Sequence, residues 1–326
     1  MQAIVLSAFG APLTLQDIAR PAAGPGQVLV RVHASGVNPL DTKIAAGQAG
    51  HAQAVLPAVP GIDLAGVVDS VGAGVQGYAP GDRVYGMTGG VGGVAGSLSD
   101  YVAVDARLLA PMPARLTMRE AAALPLIFIT AWEGLVDRAR VAPGMTVLVH
   151  GGAGGVGHMA VQLALARGAR VSATGSAAQR ATIESLGATF IDRDTPVEDY
   201  AGDGYDIVYD TVGGAVLDAS FRAARRYTGH VVSCLGWGTH ALAPLSFRAA
   251  TYSGVFTLLP LLTGEGRAHH GEILRQASAL AAAGQLRVLL DPVRYTLTAD
   301  SVSAAHRALS ARSASGKVVV EVAPTA

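Results

Sequence analysis

The segment Thr146–Ala166 constrains the fold most. An apolar run, Thr146-Val147-Leu148-Val149-His150, enters a glycine-rich turn, Gly151-Gly152-Ala153-Gly154-Gly155-Val156-Gly157, and continues into a helical pattern to about Arg167. Gly152, Gly154 and Gly157 satisfy G-x-G-x-x-G in the setting the motif requires, after a strand and opening a helix. The glycines allow a tight turn and a close approach of backbone to a pyrophosphate. The unpaired N–H groups of the helix start, Gly155 and Val156 included, favour its negative charge. A ligand-free strand–helix turn is the alternative.

The segments that follow repeat the unit. Strands are expected at Arg170–Thr174, Thr189–Asp192, Ile207–Thr211, His230–Leu235 and Gly254–Leu258. Helices are expected at Val156–Arg167, Ala177–Leu186 and Gly214–Ala224. Alternation of this kind means βαβ crossovers on a parallel sheet, and six strands fill one doubly wound dinucleotide domain.

Residues 1–110 carry a different pattern. Short strands at Gln27–Gly36, Leu64–Val71, Asp82–Tyr85 and Leu98–Val104 are separated by Pro25-Gly26, Pro60-Gly61 and Pro80-Gly81. The loop Gly86–Gly96 reads as a mobile connector or a lid. Thr117 with Glu120 is a capping box opening a helix to Leu124, and a second helix is expected at Phe128–Arg138. After residue 260 come helices at Ala268–Ala283 and Ala299–Ser310 and a strand at Lys317–Val322. The expected fold is α/β: a β-rich domain of residues 1–120 and 262–326, interrupted by a six-stranded doubly wound domain of residues 121–261.

Composition narrows the partners. The 326 residues are 50% hydrophobic and carry 24 basic and 24 acidic side chains, a balance that offers no basic surface for nucleic acid. No apolar stretch is long enough to span a bilayer. Met1–Leu6 has no positively charged flank and reads as no signal peptide, so a cytoplasmic protein is expected. The single cysteine, Cys234, excludes an intrachain disulfide and any zinc site built on two cysteines. It reads as a packed thiol, and His150 as structural.

The cofactor's ribose is read at the end of the second strand, where an acidic residue would bind a 2′-hydroxyl. Ala173-Thr174-Gly175-Ser176 stands there with Arg180 beyond, and no carboxylate precedes Glu184. Thr174, Ser176 and Arg180 suit a 2′-phosphate, so NADPH is expected. A solvated Arg180 is the alternative.

These residues, taken with others in order along the chain, resemble the medium-chain dehydrogenase/reductase superfamily in its zinc-free quinone oxidoreductase (zeta-crystallin-like) branch. The match runs through Gly36-Val37-Asn38-Pro39-Leu40-Asp41, Pro60-Gly61-Ile62-Asp63-Leu64-Ala65-Gly66 and Gly81-Asp82-Arg83-Val84. It continues through Leu124-Pro125, Thr130-Ala131-Trp132, the glycine turn, Leu186-Gly187-Ala188, Asp210-Thr211-Val212-Gly213-Gly214 and Gly316-Lys317-Val318. The resemblance implies a GroES-like catalytic domain completed by the C-terminal segment, with cofactor and substrate meeting in the cleft beside a Rossmann domain. It also implies a homodimer formed at the Rossmann sheet edge.

Zinc-dependent relatives carry a cysteine after the Gly-Val turn and a Gly-His-Glu further on. Here Asn38 and Gly61-Ile62-Asp63 occupy those stretches, and no metal is expected. Without a Lewis acid, alcohol oxidation is disfavoured and hydride transfer to a quinone or an α,β-unsaturated carbonyl, a small-molecule substrate, is favoured. A zinc-free enoyl thioester reductase or alcohol dehydrogenase-like enzyme, and a low-turnover NADPH-binding protein, are the alternatives.

By resemblance, Asn38 and Thr130 lie near the nicotinamide and Lys317 is a cofactor-side contact. Leu235, at the end of the fifth strand, joins the cofactor-side candidates. Phe256 and Leu258 either line the nicotinamide pocket or pack at an edge strand or dimer contact. Relatives often carry a tyrosine soon after the Asn-Pro stretch, where Asp41–Gly50 has none. Lys43 or water is then the candidate proton donor, with a solvated lysine as the alternative reading of Lys43.

Overall fold

The computed structural model describes residues 1–323, so the end of the expected C-terminal segment, residues 324–326, lies outside the described residues. The chain divides into two compact units, Met1–Leu126 with Leu258–Ala326, and Ile127–Thr257.

The first unit is organised by one long strand, Gln27–Val37. Its run of Val28, Val30 and Val32 favours extended backbone. All but its first residue and Arg31 are buried, so both faces are covered, unlike a half-solvated strand. Register shifts at Leu29/Val30 and Val32/Ala34 let it pair antiparallel with Asp63–Val71 along one side. The other side is shared by Tyr101–Asp105 and, past the second shift, Val318–Glu321. The final strand brings residues more than 280 positions away into register with Gly36 and Val37. Tyr295–Thr296, Arg83–Met87 and Leu109–Pro111 complete a seven-stranded sheet, and Gln2–Val5 with Thr14–Asp17 forms a separate hairpin.

The core beneath the final strand gathers Ile4, Leu6, Leu98, Val302, Val318 and Val320. The helix Arg267–Ala282 docks through the buried Tyr85, whose hydroxyl donates to the Leu274 carbonyl at 2.6 Å. Thr117 and Glu120 form the expected reciprocal cap on Met118–Ala123. The glycine-rich loop expected to move is tied down by hydrogen bonds. Gly90 N–H donates to Val94 O, Gly92 N–H to Ala52 O and Gly96 N–H to Val59 O, and Val91 is buried.

The second unit is a parallel sheet in the order Thr189–Asp192, Arg170–Gly175, Thr146–His150, Ile207–Asp210, His230–Ser233, Thr251–Gly254. Its central strands are near-continuous apolar runs, as a sheet covered on both faces requires. Chain order reverses beside Thr146–His150, the topological switch point where such sheets bind ligands.

Two expectations need correction here. The sixth strand is Thr251–Gly254, not Gly254–Leu258. Val255 adds one more ladder bond, its N–H donating to Ser233 O, and Thr257 and Leu258 are buried beyond it, so the apolar character of this run reported burial rather than strand. The expected helix Phe128–Arg138 is an α-helix, Pro125–Trp132, running into a π-turn, Glu133–Arg138. The wider turn is marked by the Ala139 N–H bonding Gly134 O. It passes the Tyr209 ring so closely that a Cβ on Gly134 would fall 2.7 Å from the ring carbon Cζ.

Candidate functional site

The dinucleotide turn of the second unit is built by close packing. Gly151 has φ of +76°, a left-handed turn. A Cβ on Gly157 would fall 2.0 Å from the Gly151 carbonyl oxygen, and one on Gly152 would fall 2.5 Å from Ala173 Cβ. The helix Gly155–Ala166 therefore starts hard against the strand end, with Gly154 as its N-cap and no side chain bonding its first N–H groups. Gly154 and Gly155 are exposed, while Ala153 and Val156 are half-buried. A pyrophosphate fits such a start, which offers unpaired donors and the positive helix end.

Neighbouring side chains brace the turn. Thr174 is buried at the end of the second strand, and its hydroxyl accepts from Gly151 N–H at 3.2 Å. The same hydroxyl lies 3.2 Å from His150 Nδ1, and burial pushes the His150 pKa down to about 4, so the ring is neutral at pH 7. Asp210, fully buried, accepts from Val212 N–H, Gly213 N–H and the Ser233 hydroxyl, fixing the turn after the fourth strand. Burial pushes the Cys234 thiol up to about 12, which leaves it un-ionised.

The ribose end of the turn carries no acidic side chain in its first residues. Ser176 is half-buried, and its N–H donates to Gln179 Oε1. Arg180 stacks over the Phe190 ring at 4.2 Å and lies 3.5 Å from Glu184, with over half of its side chain exposed. Leu235 is half-buried beyond the fifth strand, and Phe256 meets Trp237 edge-on at 6.3 Å. Leu258 is buried in the other unit. Thr130 is buried, with its hydroxyl 3.1 Å from that of Thr257, which donates to Glu133 Oε2 at 2.8 Å. The Tyr209 hydroxyl donates to the Thr130 carbonyl at 2.6 Å.

The first unit holds a second constellation around Asn38. Asn38 ends the central strand and caps the helix Pro39–Ala45, whose proline at the first position suits a helix start. Its N–H donates to Asp41 Oδ2 at 2.8 Å, its Nδ2 donates to Asp63 Oδ2 at 2.9 Å, and its Oδ1 accepts from Lys317 Nζ at 2.5 Å. Lys317 also donates to Val37 O, and Asp63 Oδ1 accepts from Leu126 N–H. All four side chains are buried. Burial raises Asp41 to about 7 and Asp63 to about 6, and it lowers Lys317.

The structure brings Asn38 and Lys317 together, and Lys43 elsewhere. Lys43 lies on the same short helix as Asp41 but is exposed, while Asp41 and Ile44 face inward. Sequence reasoning missed the part Asp41 and Asp63 play in holding Asn38. The available signal was a carboxylate embedded in apolar residues, in Gly61-Ile62-Asp63-Leu64-Ala65, where a buried charge needs partners.

Zinc does not fit these residues. Both Asp63 oxygens accept N–H donors, Asp41 is committed to the Asn38 backbone, and the ammonium on Asn38 is a donor that cannot ligate. No group of three metal-ligating His, Cys, Asp or Glu side chains occurs among the described residues.

A parallel sheet with a glycine turn at its switch point, in a chain whose other unit buries a polar cluster under a mixed β-sheet, defines a dinucleotide oxidoreductase architecture. Residues 24–114 match the alcohol dehydrogenase GroES-like domain and residues 186–320 the zinc-binding dehydrogenase family. The chain is 35% identical to the 2-methylene-furan-3-one reductase of Solanum lycopersicum, covering 94% of this chain and 75% of the relative. It is 33% identical to the chloroplastic NADPH-dependent alkenal/one oxidoreductase of Arabidopsis thaliana, covering 99% and 80%. The crystal structure of an alcohol dehydrogenase superfamily protein from Novosphingobium aromaticivorans superposes with a TM-score of 0.97 at 55% identity, covering 99% and 100%. The chain belongs to the medium-chain dehydrogenase/reductase superfamily, in its zeta-crystallin-like branch.

Proposed function

We propose that the protein is a zinc-independent, NADPH-dependent reductase of α,β-unsaturated carbonyls and quinones. The observation that carries this reading is the Asn38 cluster. A lysine ammonium and two carboxylates bond Asn38 where zinc-dependent relatives place a ligand, so these residues, committed to one another, offer no set of metal ligands. Two relatives, named a 2-methylene-furan-3-one reductase and an NADPH-dependent alkenal/one oxidoreductase, and a rat relative named a quinone oxidoreductase support both acceptor classes.

When bound, the nicotinamide supplies the hydride. Gly152, Ala153, Gly154, Gly155, Val156 and Gly157 would hold the pyrophosphate against the helix start. Thr174 braces that turn, and Ser176 and Arg180 would meet a 2′-phosphate. Thr130 is assigned to the nicotinamide side of the second unit, with Leu235 and Phe256 as its apolar neighbours and Leu258 as an apolar candidate in the first unit. In the first unit, Asn38 is assigned to the nicotinamide side, held in place by Lys317 and Asp63. Lys43 is exposed and remains a candidate proton source from solvent, equivalent there to water. The units 1–126 with 258–326 and 127–257 are assigned to catalysis and cofactor binding respectively.

No helix among the described residues is long and apolar enough to cross a membrane. A cytoplasmic homodimer that binds no nucleic acid is proposed, paired through the edge strand Thr251–Gly254. Titration of the protein with NADPH and NADH by nucleotide fluorescence, followed by NADPH consumption with an enone and with a quinone, tests the reading. Tighter binding of NADPH and turnover of at least one acceptor are expected. Binding without any turnover would favour a binding protein.

A further inference from the structure

The first unit carries an open cavity of about 630 Å³ at the end of its sheet away from Asn38. Its walls are the start of the central strand at Gln27, the turn 74–78, the end of the strand Tyr101–Asp105 and the helix Arg267–Ala282. Gln27 and Asn38 stand at opposite ends of the central strand, roughly 35 Å of extended chain apart. A ligand here would therefore not meet the Asn38 cluster.

In a chain of zero net charge the lining is one-sided. Arg107, Arg267 and Arg275 stand against the single carboxylate of Asp105. That carboxylate is fully used. Its Oδ1 accepts from the Arg107 backbone N–H and Nε, each at 3.0 Å, and its Oδ2 accepts from Arg107 Nη2 at 2.7 Å and Arg267 Nη1 at 3.0 Å. Burial opposes the Asp105 charge, but the bonds from Arg107 and Arg267 outweigh it and bring the pKa down to about 2. Arg267 is braced further, with Nε on Pro260 O and Nη2 on Leu261 O. The three side chains form a fixed frame.

What remains uncommitted in the lining is rich in donors. Arg275 makes no hydrogen bond or ion pair among the described residues. Burial raises the Tyr78 pKa and the charge of Arg275 opposes the rise, so that guanidinium stands near the Tyr78 ring. Arg107 keeps Nη1 unbonded, because Asp105 takes its Nε and Nη2. Gln27 spends its amide oxygen on Gly24 N–H at 3.1 Å, which leaves its NH₂. The guanidinium charges in excess of Asp105 repel one another and find no counter-charge in the lining.

We propose that this cavity is a binding site for a phosphomonoester of a small polar molecule, held by Arg107 and Arg275 on the frame that Asp105 and Arg267 provide. Guanidinium forks match phosphate oxygens in two-pronged pairs. A phosphomonoester carries about −1.5 to −2 charges at pH 7, which matches the excess of arginine over carboxylate. The volume falls in the ~300–1,000 Å³ range of small-molecule sites, so space is left for the organic part beside the phosphate. The site is separate from the glycine turn and does not rest on the enone and quinone reading.

The probe is ribose 5-phosphate, titrated by calorimetry into NADPH-saturated protein, with inorganic phosphate as the comparison. Saturable binding is expected, with ¹⁵N amide shifts concentrated at residues 25–27, 74–78, 105–107 and 267–275. Inorganic phosphate is expected to bind about tenfold more weakly or worse. Arg275→Gln breaks no contact of the fold. It is expected to leave Tm unchanged and to weaken ribose 5-phosphate about tenfold or more, the scale of one charge-assisted hydrogen bond. Arg107→Gln is the second variant, with the same weakening expected while Arg267 still holds Asp105. The shift map locates the ligand whether or not NADPH binds, which separates this result from failure of the functional reading. No saturation by about 10 mM would overturn the proposal. So would unchanged affinity in both variants, equal affinity for inorganic phosphate, or shifts confined to the turn 151–157.

Discussion

Lys317 and Asn38 lie 279 positions apart in sequence, and the ammonium of one rests 2.5 Å from the amide oxygen of the other. The contact exists because the last strand of the chain, Val318–Glu321, pairs with the strand that Asn38 terminates. Folding of the C-terminal segment onto residues 27–37 is thus a condition for forming the Asn38 cluster, and a chain truncated before residue 317 would lack it.

The glycine turn yields an ordered pair of outcomes. Gly157→Ala would place a Cβ 2.0 Å from the Gly151 carbonyl, against backbone that cannot give way cheaply. Overpacking of this sort costs about 1–3 kcal/mol and opens the turn. Gly154→Ala meets only the Gly151 carbonyl oxygen, at 3.1 Å, with φ of −74° that any residue adopts. NADPH affinity is expected to fall more than tenfold in both, in Gly154→Ala through a methyl on the pyrophosphate side of the turn, while denaturation is expected to show a stability loss in Gly157→Ala and little in Gly154→Ala.

Cofactor choice is tested at the end of the second strand. Arg180 pairs with Glu184 while both are more than half exposed, so that bridge contributes little to stability. Arg180→Ala is expected to leave Tm nearly unchanged and weaken NADPH about tenfold, or about 1.4 kcal/mol, with NADH unaffected. Ser176→Asp, which supplies the missing carboxylate, is expected to reverse the preference. Equal losses for both nucleotides would show that Arg180 does not read the 2′-phosphate.

Much of this was legible in the sequence for a physical reason. The doubly wound sheet announced itself because the central strands Thr146–His150 and Ile207–Asp210 are near-continuous apolar runs and each crossover helix has its own period, so local pattern and global fold agree. The turn at Asp210 and the cap at Thr117 were equally local. The long-range pairings were not. Nothing near Lys317 indicates that it meets Asn38, and resemblance alone suggested a cofactor-side role. The sixth strand was misplaced because the apolar run continues past Gly254 through the buried Val255, Thr257 and Leu258, and apolar character cannot distinguish a strand from a buried loop. The π-turn at Glu133–Arg138 was invisible because it answers to the Tyr209 ring, about 75 residues away.

The buried acids give stability a defined pH dependence. Burial raises Asp41 from 3.8 to about 7, so between these values the folded chain keeps a proton that the unfolded chain has released. Its contribution to stability is full below pH 3.8 and is lost as pH rises through about 7. His150 and His306, lowered from 6.5 to about 4 by burial, act oppositely, and their contribution is lost as pH falls from 6.5 towards 4. Asp41→Asn removes one side of this balance. Denaturant titrations at pH 4, 5.5 and 7 are expected to show the variant gaining on the wild type as pH rises. The gain is expected to reach a few kcal/mol in all, since each tenfold change in proton affinity is worth about 1.4 kcal/mol. A difference that stays flat with pH would mean Asp41 ionises normally in the fold.

Tyr209 links the sheet to Thr130 through a 2.6 Å hydrogen bond between buried groups. Tyr209→Phe keeps the ring that Gly134 passes and removes only the donor to the Thr130 carbonyl. A loss of about 1 kcal/mol is expected from chemical denaturation. A larger drop in kcat than in stability would place Thr130 beside the reacting atoms, and a purely structural loss would not.

Reduction by the proposed route needs a reduced nicotinamide and no metal. The most direct measurement is the rate of NADPH consumption with a simple enone before and after exhaustive dialysis against a strong chelator, with metal content followed in parallel. An unchanged kcat/KM in metal-depleted protein is the result expected. Activity lost on chelation and restored by Zn²⁺ would contradict the account.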